Sequence, residues 1–229
     1  VADLTIAQIR PDLMGTYGDR GNGLVLVRRV EWRGGTAQLV DVDAHRALPD
    51  ETNIIVIGGA EDAAQRLLSR DQVLTASLVE HITSGTTVLA VCAGLQLLGH
   101  GDPTHGAPGL GLLDIRSQRL TERAVGEIVV DGPPGIGLLS GFENHQYGTI
   151  IGPDVAPLGT VSRGVGNTTD SRSDGVISGN IVGTYLHGPV LARNPALADH
   201  LLSTQLGPLD PLDDIQVTKL RRHLIGRDA

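Results

Sequence analysis

Cysteine, lysine and aromatic residues are nearly missing from this 229-residue sequence: it has one Cys, one Trp, one Phe, three Tyr and a single lysine. A lone cysteine excludes an internal disulfide and a thiol-rich zinc site, and both absences suit a reducing cytoplasm. With 2% aromatics and a formal net charge of −8, no basic groove with stacking rings is available for nucleic acid. The acidity reads as solvated surface. The lone lysine, Lys219, follows Val217-Thr218 with no glycine turn before it, which excludes a phosphate-cradling P-loop. No apolar run approaches the roughly 18 residues a membrane span needs. No charged-then-apolar start marks a secretory signal, and Leu4 to Ile9 reads as a strand at once.

What is present supports one core. With 40% hydrophobic residues, the chain is expected to form a single domain over residues 1–229. Strand signals at Leu4 to Ile9, Gln38 to Val42, Asn53 to Ile57 and Thr87 to Val91 alternate with helical spacing. The helical stretches are Gly21 to Arg33, stopped by Gly34-Gly35, one or two helices from Glu61 to Ser84, and a start at Leu95 to Leu98. Strands without alternation, separated by helices, predict an α/β fold with a doubly wound, mainly parallel sheet. The second half predicts strands at Leu112 to Ser117, Val125 to Val130, Phe142 to Ile150 and Ile181 to Tyr185. These extend the sheet with mainly antiparallel strands, before helices at Ala196 to Gln205 and Val217 to Leu224.

The sharpest chemical signal is Val88-Leu89-Ala90-Val91-Cys92-Ala93-Gly94-Leu95-Gln96. A buried strand runs through small-X-Cys-X-small directly into a helix, the pattern of a nucleophile elbow. Small neighbours permit the tight turn, and free N–H groups at a helix start favour thiolate over thiol. The same lone cysteine also fits a buried structural role. Gly58-Gly59 follows the Ile54 to Ile57 run, at the strand end where open α/β sheets bind ligands. Backbone N–H groups there suit an oxyanion, although a plain turn needs the same glycines. His187 ends the apolar run Ile181 to Leu186, where an imidazole can serve a nearby thiol as base and then acid. It is one of eight histidines, and position alone distinguishes it.

Cys92-Ala93-Gly94-Leu95-Gln96-Leu97-Leu98-Gly99, taken with Asp174-Gly175-Val176 and Gly183-Thr184-Tyr185-Leu186-His187-Gly188, resembles the class I glutamine amidotransferases of the cobyric acid synthase type. Tyr17-Gly18-Asp19-Arg20-Gly21-Asn22, Gly58-Gly59-Ala60-Glu61-Asp62, Gly141-Phe142-Glu143-Asn144-His145 and Asn194-Pro195 are similar to a narrower group within it. That group comprises the small GatD subunits, which pair with the Mur-ligase-like MurT to amidate the D-glutamate of lipid II. The resemblance implies a glutaminase with Cys92 as nucleophile and His187 as base. Ala93 N–H and Gly59 match its oxyanion hole, Gln96 helps hold glutamine, and Arg123 grips the substrate α-carboxylate. It implies no metal or cofactor in this chain, with ATP and Mg held by the partner of a cytoplasmic heterodimer. Two departures stand out. Ala90 replaces a glycine, and Pro189 stands where a His-X-Glu acid is usual, so an aspartate from the partner is expected to complete the site. Isolated, such a subunit is expected to hydrolyse glutamine slowly. A cobalamin-precursor amidotransferase and a non-catalytic assembly subunit are the rival readings; Cys92 and His187 speak against the second.

Overall fold

A computed structural model describes residues 3–102 and 108–225. The β-branched segments form a six-stranded sheet in the order β2-β1-β3-β4-β10-β9. Its members are β1 (Asp3–Ile9), β2 (Thr36–Val42), β3 (Thr52–Ile57), β4 (Thr87–Val91), β9 (Val176–Ser178) and β10 (Ile181–Thr184). All neighbours run parallel except the β10–β9 pair. Every residue of β4 is buried, which explains a run with no polar alternation, whereas β2 lies at the edge and is partly exposed.

Helix α1 (Arg20–Glu31) packs on β1, β2 and β3, burying Leu26 and Val30. The turn after it closes at Gly34, which donates its N–H to Glu31 O and whose φ of 76° favours a residue without Cβ. The Glu61 to Ser84 stretch resolves into α2 (Asp62–Ser69) and α3 (Gln72–Thr83). The break falls at Asp71, whose carboxylate caps α3 by accepting from Leu74 N–H. Helix α4 (Ala93–Leu98) follows the elbow and packs on β4 and β10. At the chain's far end, α5 (Val190–Arg193) and α6 (Pro195–Leu206) come before α7 (Ile215–Ile225). Arg29 of α1, only 2% exposed, forks onto both Asp199 of α6 and Asp214 beside α7 at 2.7–2.9 Å. Breaking such a buried charge pair from one side costs about 3–5 kcal/mol, so this arginine fastens the C-terminal helices to the body.

The second half departs from expectation in one respect. Its antiparallel strands do not simply prolong the parallel sheet. Strands β5 (Ile115–Asp131), β6 (Leu138–Ile151), β7 (Gly159–Arg163) and β8 (Ser173–Asp174) form their own four-stranded sheet, in the order β6-β5-β7-β8. Only β9 adds an antiparallel strand to the first sheet. The Leu112 to Ser117 and Val125 to Val130 signals belong to one long strand, broken in register between Arg119 and Ala124. An antiparallel bridge between Phe142 of β6 and His187 just after β10 ties the two sheets together, and the pair exchanges both backbone hydrogen bonds at 2.8 and 3.2 Å.

Candidate active site

Cys92 sits where β4 turns into α4, with φ 52° and ψ −107°. A non-glycine residue rarely adopts this backbone, and holding it there costs of order 1–3 kcal/mol. Two features impose it. Cys92 N–H donates to Thr184 O at 2.8 Å, tying the elbow to β10. Gly94 lets α4 press on β3, since a Cβ there would lie 2.5 Å from Ile57 O. Ala90 is fully buried, and its methyl is accommodated. The thiol itself is 5% exposed. Burial pushes it up to about 12, and the Asp19 carboxylate adds to this; Ala93 N–H and the Arg123 charge pull the other way. The sequence-based expectation of a thiolate favoured by the helix start therefore fails in the resting chain. Loss of solvation outweighs what the short α4 provides.

His187 emerges just after β10, which pairs directly with β4, so both side chains belong to neighbouring strand ends. Its ring lies between Tyr17 and Phe142, with centroids 4.5 and 5.4 Å away. Nδ1 faces the Asp19 carboxylate at 3.2 and 3.3 Å. A carboxylate only accepts, so the hydrogen of the neutral ring sits on Nδ1 and leaves the lone pair on Nε2. Nε2 is buried with no hydrogen-bond partner among the described residues. The Cys92 sulfur and this nitrogen are thus not hydrogen-bonded at rest.

Asp19 enters the sequence reading only within the Tyr17 to Asn22 segment, where its place just before α1 equally suits a helix cap. It occupies the position before α1, yet its side chain makes no capping bond. Instead it turns inward, is fully buried, and accepts Gly59 N–H at 2.7 Å. The Gly59 N–H, expected as an oxyanion donor, is thus engaged by the buried carboxylate in the unliganded chain. Gly59 is a glycine for a steric reason, because a Cβ would lie 2.6 Å from His187 Cε1 and 3.1 Å from Asp19 Oδ2. The carboxylate that lies beside His187 within this chain is the same Asp19.

Residues 5–195 match the sequence profile of the CobB/CobQ-like glutamine amidotransferase domain. The chain belongs to this family. It is 34% identical over 205 residues to the Staphylococcus aureus lipid II isoglutaminyl synthase (glutamine-hydrolyzing) subunit GatD, covering 87% of this chain and 83% of that one. The Streptococcus pneumoniae GatD subunit is also 34% identical, over 89% of this chain and 80% of its own. A crystal structure of a glutamine amidotransferase superposes with a TM-score of 0.63 at 17% identity, over 86% of this chain and 97% of that one. The chain is accordingly a glutamine amidotransferase of mixed α/β fold.

In this amidotransferase the two remaining sequence candidates stand on α4 and β5. Gln96 is nearly buried on α4, and its Nε2 donates to Tyr147 O and to the Tyr185 hydroxyl, each at 3.2 Å. Its amide is therefore fixed with the acceptor end uncommitted to either contact. Arg123 lies in the irregular stretch of β5 and donates through Nε to Asn144 Oδ1 at 2.6 Å. Its charge is felt at both Tyr17 and Cys92. Behind them lies a network the sequence did not reveal. Glu143 accepts Val165 and Gly166 N–H at 2.7 and 2.8 Å, and His145 Nε2 faces it at 3.3 Å. The His145 ring stacks on Tyr185 at 4.0 Å, so the Glu143-Asn144-His145 segment backs the residue that holds Gln96.

Proposed function

We propose that this amidotransferase hydrolyses glutamine at Cys92 and His187 and passes the ammonia to a Mur-ligase-like partner that amidates the D-glutamate of lipid II. The observation that carries the chemistry is the strained thiol on one strand end beside an imidazole whose Nε2 lone pair is uncommitted. When glutamine fills the site, side-chain motion brings Nε2 within reach and the thiol proton passes to it. The thiolate then adds to the side-chain amide carbon. Ala93 N–H holds the resulting oxyanion, a contact of the kind worth about 3 kcal/mol of barrier. Nε2–H protonates the leaving nitrogen, ammonia departs, and a γ-glutamyl thioester remains. Water deprotonated by Nε2 cleaves that thioester to glutamate and returns the thiol. Gln96 and Arg123 supply an acceptor and a cation for the substrate's α-amino and α-carboxylate groups.

The reading of the acceptor is supported by the two GatD relatives, whose names join glutamine hydrolysis to lipid II. Carboxylate activation needs ATP and Mg, which we assign to the partner, since Lys219 lacks a glycine turn and lies on α7. Among the described residues no helix is long and apolar enough to cross a membrane, so lipid II would be met through that partner in a cytoplasmic heterodimer. The test is Cys92→Ala in the reconstituted complex. Ammonia release from glutamine should vanish while amidation with free ammonium persists. Glutamine-dependent amidation by that variant would refute the assignment.

A further inference from the structure

The segment Tyr17 to Asn22 is built residue by residue onto the turn that carries His187. The Tyr17 ring covers the imidazole. Gly21 packs beneath Pro189, where a Cβ would fall 2.3 Å from the proline Cγ. Asn22 Oδ1 accepts Leu191 N–H at 3.0 Å. At its centre, Asp19 meets Nδ1. Pro189 fills the place of the expected acid, and the segment that presses on Pro189 delivers a carboxylate from the opposite side. We propose that Asp19 is the positioning residue for His187, fixing the imidazole with its hydrogen on Nδ1 so that Nε2 can take the Cys92 proton.

A purely structural role accounts poorly for this carboxylate. It makes no bond to the helix it precedes, and a fully buried carboxylate is costly unless paired and hydrogen-bonded. The Gly59 bond also holds it in orientation. One oxygen receives Gly59 N–H, so the carboxylate is locked facing the ring. The charges of Glu61, before α2, and Arg123, on β5, act on the adjoining Tyr17 and Cys92. Neither side chain hydrogen-bonds Nδ1, whose partner is Asp19.

The inference rests on the glutaminase reading, and its test separates the two. Asp19→Asn preserves shape and leaves one oxygen for Gly59 N–H, which turns the amide NH₂ toward Nδ1. A donor there forces the ring hydrogen onto Nε2, the wrong nitrogen. Loss of tautomer control of this kind lowers turnover by up to about 10⁴-fold in a serine-based triad. We expect Asp19→Asn to lower kcat for L-glutamine by about 10²- to 10⁴-fold with KM little changed. Imidazole ¹⁵N NMR of the whole chain should show Nδ1–H for His187 in the wild type and Nε2–H in the variant. A wild-type His187 carrying its hydrogen on Nε2 overturns the proposal, whether or not the variant folds. So does a variant that keeps Nδ1–H, or one that changes tautomer with kcat within about 3-fold of wild type. Glutamine hydrolysis surviving Cys92→Ala would instead sink the glutaminase reading, and the NMR result would still decide the role of Asp19.

Discussion

Because the chain has one cysteine, its alkylation by iodoacetamide reports on Cys92 alone. An ordinary thiol at 9 is about 3% ionised at pH 7.5, whereas one pushed up to about 12 is ionised to roughly 3 × 10⁻⁵. That is a thousandfold deficit in thiolate, equivalent to roughly 4 kcal/mol. Part of it is recovered, because nucleophilicity climbs with basicity at a slope of about 0.4–0.5, worth roughly 20- to 30-fold over three units. The net expectation is alkylation slower than a free thiol by about 30- to 50-fold, with burial slowing it further. Shape is more diagnostic than rate. The logarithm of the rate constant should rise by one per pH unit from 6.5 to 10 without levelling, while circular dichroism verifies that the fold persists. A plateau beginning below pH 8 would show a stabilised thiolate and refute the argument that burial and the Asp19 charge dominate at the elbow.

Asp174 and Gly59 give two further tests. Burial pushes the Asp174 carboxyl up to about 6, against the opposing bonds from Thr184 Oγ1 and Tyr185 N–H. A carboxyl raised on folding stabilises the native state fully below its unfolded value near 3.8 and loses that contribution as pH climbs through 6. Urea titrations at pH 4 and pH 7.5 should therefore contain a fall of roughly 2.4 kcal/mol in the wild type that is missing from Asp174→Asn; equal pH dependence in both would dismiss it. In Gly59→Ala, the new methyl must displace the His187 ring. Glutamine turnover should drop by about 10- to 100-fold with the melting temperature nearly kept, as a misplacement near 1 Å implies. Unaltered turnover would mean that the imidazole can work from another position.

Legibility in the sequence followed the strength of local signals. The β4 elbow could be read because a fully buried strand allows only apolar residues, and the close approach of α4 to Ile57 O demands glycine at 94. Strand β5 read as two pieces because the polar stretch from Gln118 to Arg123 contains mostly outward-facing residues around the register break. Strands β7, β8 and β9 are two to five residues long, too short for a period to show. The site was half visible. Cys92, His187, Gln96 and Arg123 carried recognisable patterns, whereas Asp19 did not, since the residue type that orients an imidazole is also a good cap. Only the inward turn of its side chain distinguishes the two, and that turn depends on contacts 40 and 168 residues away.

The bridge between Phe142 and His187 has a mechanical consequence. His187 is held from two sides, through the chain to β10, which pairs with β4 beneath Cys92, and through both of its backbone bonds to Phe142 of β6. The base thus stands at a corner shared by two sheets, and a distortion of β6 at Phe142 would reach its backbone directly.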